Sequence, residues 1–369
     1  MTGPLTWQTW RPGLRAFMGG FLLLIGAACS NGDGVGPTSE SALPADSTAV
    51  PADSIAVPVD SSAIPADSTV VPPSDTTVVA PDPGAPPPDS AGINGVIINT
   101  SSHPGIVFGT FNMSSSLVSS VITGTTQAVA STSGMMPVIV EVKAKGGRMV
   151  IKLSGGSASH VKNADGTFNF TKWKAVVDRF RGVNLAPYIA DGTIVAHYLI
   201  DEPNMAHRWG GQTVPQATIE AMAKYSKQIW PTMPTIVRVV PTWLASAPIT
   251  YTYLDAGWAQ YTAVKGDPTK WITAEVSAAK SKGLGLVASL NVLDGGNGSS
   301  GIRGYTSGKY SMSASELRSY GGVLLNQSYI CGFYQWMYNS PYFGRSDVKA
   351  AMSELSAKAR AHTKTSCRQ

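Results

Sequence analysis

An α/β fold, a (β/α)8 barrel over residues 93–369, is predicted by three observations. Strand-like and helix-like runs alternate from about residue 105 onward, the pattern of parallel strands joined by helical crossovers. The length of that stretch is close to the roughly 250 residues typical of one such barrel. Aromatic residues gather near the strand ends. An open, doubly wound sheet alternates in the same way and is the rival, but length and the aromatic strand ends favour the barrel.

The elements follow in order. The run 106–112, IVFGTFN, reads as a strand. MMPVIVEVKAKGG (135–147) fits strand or helix, and its Lys-Gly-Gly ending favours a helix C-terminus. RMVIKLSGG (148–156) is a strand running into a loop. FTKWKAVVDRFRGVNLAPYI (170–189) sets Trp173, Val176, Val177 and Phe180 on one helical face. An apolar run, Ile194 to Ile200, is a strand that stops at Asp201 and Glu202. Thr213 with Gln216 three residues on predicts a capped helix over 214–229. TIVRVVPTW (235–243) and YTYLDAGWAQY (251–261) are strands, and a helix near 268–282 ends at Gly283. LGLVASLNVLDGG (284–296) is a long strand opening into a Gly-rich loop. Ser313 and Glu316 predict a capping box on the next helix. ICGFYQWMYN (330–339) is the last strand, and Ser346-Asp347 starts a final helix reaching about residue 362. Seven strands are clear. The eighth is expected in 95–99 or in 135–147.

The N-terminal part is of a different kind. Arg11 and Arg15 precede an apolar stretch, Ala16 to Ala28, too short for the roughly 20 residues of a spanning helix. It fits an export signal over 1–28, ending in small residues. Cys29, directly after them, resembles the lipidated cysteine of bacterial lipoproteins, although Gly26 stands where that motif prefers an aliphatic residue. Ordinary cleavage would leave a free secreted protein instead. Residues 29–92 carry a seven-residue repeat, PADSTAV-PADSIAV-PVDSSAI-PADSTVV, starting at Pro44, Pro51, Pro58 and Pro65. A proline in every repeat forbids a coiled coil, and without aromatic or basic residues the segment cannot build a core. It reads as a disordered, extended stalk.

Charge divides along the chain. The segment 30–92 holds nine acidic residues and no basic one, whereas 93–369 holds 14 acidic and 26 basic residues. The domain is therefore about +12, where the whole chain is +5. Such a balance favours an anionic partner, or the acidic stalk itself. With Cys29 assigned to the signal, Cys331 and Cys367 remain as a pair in an oxidising compartment. A bridge between them would fasten the C-terminal tail to the base of the last strand.

Within a barrel, 148–153 is strand three, Ile194–Asp201 strand four and 284–293 strand seven. Catalytic groups of this fold sit at the C-terminal strand ends, where Asp201, Glu202 and Asp294 fall. Asp255, on the sixth strand, is the rival to Asp294. Burying unpaired charge is costly, so these acids either face a cleft or pair with bases; Arg208 and Lys152 are within reach of Glu202. Asp294 also opens an Asp-Gly turn, a structural alternative. Neighbouring strand residues face opposite sides, which would separate Asp201 from Glu202. Lys152 and Arg238 suit a substrate carboxylate or sulfate, or else pair with the barrel acids. Trp243, Trp258 and Trp336 suit stacking on sugar rings, or simple packing. His160, His207 and Trp209 lie in loops at the same end; His197, mid-strand, reads as an interior histidine. A G-x-S-x-G elbow, an H-E-x-x-H zinc motif and a phosphate-binding loop are all absent from the sequence.

Here the chain resembles the large glycoside hydrolase clan of (β/α)8 barrels with an acid/base ending strand four and a nucleophile ending strand seven. In that clan an Asn-Glu-Pro type sequence ends strand four. Asp201-Glu202-Pro203 is similar, with Asp for Asn, and Trp336 suits the clan's strand-eight aromatic. The resemblance implies Glu202 as proton donor. Strand seven departs from it, offering Asp294, or Asn291, where the clan has Glu. A shorter acid leans toward the roughly 6.5–9.5 Å carboxyl spacing of inverting enzymes. The expectation is an exported, monomeric hydrolase of an acidic polysaccharide, with no cofactor and no nucleic-acid partner. Its rivals are a non-catalytic glycan-binding surface lipoprotein and a polysaccharide lyase using Lys152 or His160 as base.

Overall fold

A computed structural model describes residues 103–363 and Cys367. The export signal, Cys29, the repeat and the run 95–99 lie outside the described residues. Eight parallel strands close into a barrel in sequence order: β1 (Val107–Phe111), β2 (Gly124–Ala128), β3 (Arg148–Lys152), β4 (Ile194–Asp201), β5 (Thr235–Arg238), β6 (Ala256–Tyr261), β7 (Gly285–Asn291) and β8 (Ile330–Trp336). The predicted fold is the observed one.

The eighth strand was misplaced. It is β2, GTTQA, and 135–147 belongs to a helix, α1 (Thr132–Ala144), whose chain leaves through Gly146 at φ 61. No aliphatic run marks β2. Its buried positions are Gly124, Thr125 and Thr126, and Thr125 keeps its hydroxyl satisfied by donating to the Met113 carbonyl at 2.7 Å. The helix predicted over 170–189 is two helices, α2 (Phe170–Asp178) and α3 (Ala186–Ala190). Pro187 has no amide hydrogen to bond back along the chain, so it is tolerated in the first turn of α3 but would break a single helix running through it.

Helix α4 (Gln216–Ile229) starts without the expected cap from Thr213. Pro215 is its N-cap, and the Gln216 amide donates to the Trp243 carbonyl at 3.1 Å instead. After it come α5 (Pro241–Ala245), α6 (Pro268–Ser281), α7 (Ala314–Leu325), α8 (Ser340–Phe343) and α9 (Ser346–Arg360). The capping box of Ser313 and Glu316 on α7 is present. Among the described residues no helix is long and apolar enough to cross a membrane.

One core lies between strands and helices, and a second fills the barrel. Inside, the Trp258 ring sits 4.6 Å from Phe111, 4.8 Å from Tyr334 and 5.6 Å from Tyr198. Gly109 makes room for this aromatic plug: a Cβ there would meet the Tyr334 ring at 2.6 Å. The plug separates two ends. At the foot, the N-terminal strand ends, Cys331 and Cys367 are joined in a disulfide with a Cα–Cα distance of 4.9 Å, as expected. At the mouth, the C-terminal ends of β1 to β4 and β8 surround an open cavity.

Candidate active site at the barrel mouth

Strand β4 delivers two acids to the mouth, and its alternation fails there. The β4–β5 register shifts between Tyr198 and Asp201, and Glu202 follows with φ 46. Left-handed backbone is costly for a glutamate. It is held at both peptide groups: Glu202 N donates to the Arg238 carbonyl at 3.0 Å, and its own carbonyl accepts from Trp209 Nε1 at 3.0 Å. The turn brings both acids to one side, so the expected separation of Asp201 from Glu202 does not occur.

Two arginines meet them there. Arg238, at the end of β5, pairs through Nε with Asp201 and through Nη2 with Glu202 at 2.9 Å. Arg208 bonds Glu202 and lies 3.1 Å from Asp201. Tyr198 Oη donates to Asp201 at 2.6 Å. Burial opposes ionisation of Asp201, but Arg238 overrides it and holds the carboxyl down at about 2. Arg238 is itself buried, and despite that its guanidinium is pushed above its ordinary value by Asp201, Tyr198 and Glu202. The Glu202 side chain stays 27% exposed, so it is open to a ligand from the solvent side.

Beside this cluster lies a cavity of about 130 Å3 whose wall includes Phe111, Asn112, Gln127, Lys152, Asp201 and Trp336. Trp336, ending β8, is half-buried, with Tyr305 edge-on at 5.8 Å. The peptide bond Trp336–Met337 is cis. Asn291, ending β7, pairs in register with Trp336 and accepts from the Asp294 amide at 2.9 Å. A cavity of about 200 Å3 at the foot, walled by Val107, Ile194, Ile236 and Arg148, is larger but apolar and on the wrong side of the plug. The charged cluster lines the cavity at the mouth and not the one at the foot.

The remaining predicted residues divide sharply. Asp294 stands in the loop after β7, but its carboxylate accepts from the Thr306 amide at 2.8 Å and the Thr306 hydroxyl at 2.7 Å. Asp255 precedes β6, at the foot, and pairs with Lys227 at 2.5 Å; the structure does not bring it to Glu202. It was misplaced because the apolar pattern began the strand at 251, whereas β6 begins at Ala256. Trp258, only 1% exposed, is part of the interior plug and has no face for a sugar. Trp209, 2% exposed, holds the Glu202 carbonyl from behind. Trp243, half-buried on α5, packs on the core under the helices. His160 is exposed in the loop after β3.

Four further residues line the mouth without a mark in the sequence. Gln127 was hidden with β2, while Asn112, Phe111 and Tyr198 sat in runs whose apolar character was itself the strand signal. Among the described residues no group of three or more His, Cys, Asp or Glu side chains is placed to hold a metal.

No family model and no curated protein matches the chain. Among solved structures it is similar to a GH113 beta-1,4-mannanase, at 11% identity, with 69% of this chain and 99% of that one covered and a TM-score of 0.46. It is similar to a chitinase from Rhizomucor miehei at 12% identity, covering 68% and 99%, with a TM-score of 0.42. The catalytic domain of the major endoglucanase from Xanthomonas campestris pv. campestris stands at 12% identity, covering 69% and 94%, also with a TM-score of 0.42. At these identities the likeness is one of fold alone.

Proposed function

We propose that the protein is a glycoside hydrolase that cuts a polysaccharide across the barrel mouth, with Glu202 as proton donor. One observation carries this: Glu202 is a partly exposed acid held in left-handed backbone at the C-terminal end of β4, beside a cavity walled by Trp336. Costly backbone concentrates at functional sites, and barrels of this kind work at this end. Trp336 offers a face for a sugar ring, Asp201 orients the cluster as a permanent anion, and Asp294 serves as the second carboxylate once substrate draws it from Thr306. The basic domain places acidic glycans first among substrates. We further infer export, with Cys29 as a lipid anchor and residues 29–92 as a spacer from the membrane.

A second reading has its own support. Both Glu202 oxygens already meet arginines and Asp294 is engaged by Thr306, which suits a barrel that binds glycans without cleaving them. Reducing ends released from neutral and acidic polysaccharides, with absorbance of unsaturated uronic products followed in parallel, separate the possibilities. Hydrolysis predicts reducing ends without that absorbance, falling by about 10²-fold or more in E202Q. Binding with no cleavage leaves the glycan-binding reading, and new absorbance means a lyase.

A further inference from the structure

The charge count at the mouth does not close. Asp201 and Glu202 are two anions; Arg208, Arg238 and Lys152 are three cations. The arginines take both acids, and among the described residues Lys152 forms no ion pair. Its ammonium lies 5.5 Å from the centre of the Tyr198 ring, and the side chain is part of the cavity wall. An ammonium removed from water without a carboxylate is costly. Burial, reinforced by repulsion from Arg208 and Arg238 and only partly offset by Asp201, pulls the Lys152 pKa down.

A second feature marks the same cavity. Among the described residues only two non-glycine residues have positive φ, Glu202 and Asn112. Asn112, at φ 54, directly follows β1 and stands in the cavity wall with Lys152. Its backbone amide is fixed by Thr126 Oγ1 at 3.1 Å, while its side chain is exposed. Its side-chain amide donates to Met337 Sδ at 3.9 Å, and the residue lines the same cavity as the lysine. Gln127 joins them on the wall, its Nε2 occupied by the Met113 carbonyl at 2.7 Å.

We propose that Lys152, with the Asn112 amide beside it, forms a subsite for the anionic substituent of a sugar residue, a carboxylate or a sulfate ester. The ligand's charge brings the mouth to neutrality, and Trp336 on the same wall takes the ring that carries it. This deepens the hydrolase reading, on which its place beside Glu202 rests, but the subsite is a matter of binding and stands or falls separately. Lys152 is a specificity-determining residue in this scheme and takes no part in bond breaking.

Titration calorimetry on the full chain tests it with three probes of equal length: an oligogalacturonate, its methyl ester and a sulfated neutral oligosaccharide. The wild type is expected to bind the acid about tenfold or more tightly than the ester. K152M is expected to bring the two within about twofold, and K152R to retain the preference. Tight binding of the sulfated probe assigns the subsite to oxyanions in general; weak binding of it assigns the subsite to uronates. A wild type that ignores the charge, or a K152M variant that keeps the preference, overturns the proposal. Should K152M fail to fold, ¹³C-dimethylated lysines of the wild type give the same answer. The acid and not the ester must then move the resonance that is missing from K152R. Charge preference without cleavage sinks only the hydrolase; cleavage without charge preference sinks only the subsite.

Discussion

Positive φ crowds a side chain against its own carbonyl, and of the two residues that accept this at the mouth, Asn112 lines the cavity and Glu202 follows Asp201 in its wall. For Glu202 the surrounding bonds explain how: Arg238 binds its amide, Trp209 its carbonyl, and two arginines its carboxylate. Asp201 stabilises that arrangement through Arg238. Its carboxyl is held at about 2, against 3.8 for the free group, which contributes about 2 kcal/mol at neutral pH. That contribution is complete above pH 3.8 and is lost as pH falls through about 2. D201N is therefore expected to lower the unfolding free energy by about 2 kcal/mol at pH 7, with the gap to wild type closing toward pH 2. Urea unfolding at several pH values checks it; a gap independent of pH would mean that packing, not charge, is what Asp201 supplies.

Strand β4 carries a second titrating group on its outer side. His197 is fully buried, stacked 6.0 Å from Trp173, and shares a 2.8 Å hydrogen bond between Nδ1 and Ser226 Oγ. Burial pulls its pKa down to about 3 from 6.5. Below 6.5 the unfolded chain gains a proton that the folded chain refuses, so stability declines by about 1.4 kcal/mol per pH unit on this account. Between pH 6.5 and 5, where the carboxylates contribute little, the wild-type slope is expected to exceed that of H197Q. Equal slopes would refute the assignment. The same scale shows what the sequence could convey. Elements with aliphatic periodicity were legible: β1, β3, β4, β7 and β8, and the capped helix α7. β2 was not, because Thr and Gly fill its buried positions and a hydroxyl bonded to a carbonyl replaces aliphatic packing. Asp201, Glu202, Lys152 and Trp336 were legible as mouth residues since strand ends fix them. Asp255 was placed at the wrong end because one strand started five residues later than its aromatic pattern.

Across the whole molecule, the mouth and the disulfide occupy opposite ends of the barrel, with the plug around Trp258 between them. The bridge spans 36 residues, and closing a loop of that size in the unfolded chain is worth about 4 kcal/mol. A C331S variant is expected to lose stability of that order while the hydrolysis proposed for the mouth, normalised to folded protein, stays unchanged. A matching fall in turnover would show that the two ends are coupled. The fold was legible at this scale because alternation and length are properties of the whole chain and survive errors in single elements.

The bridge has another consequence. Cys331 opens the last strand and Cys367 lies beyond the last helix, so β8, the turn after Trp336, α8 and α9 all fall inside one covalent ring. A protease that cuts once anywhere in that ring creates two new chain ends and adds one water, yet releases no fragment. Trp336 and the helix that packs behind β1 stay tethered to the rest, and the cut molecule separates into two pieces only when a reductant reaches the foot.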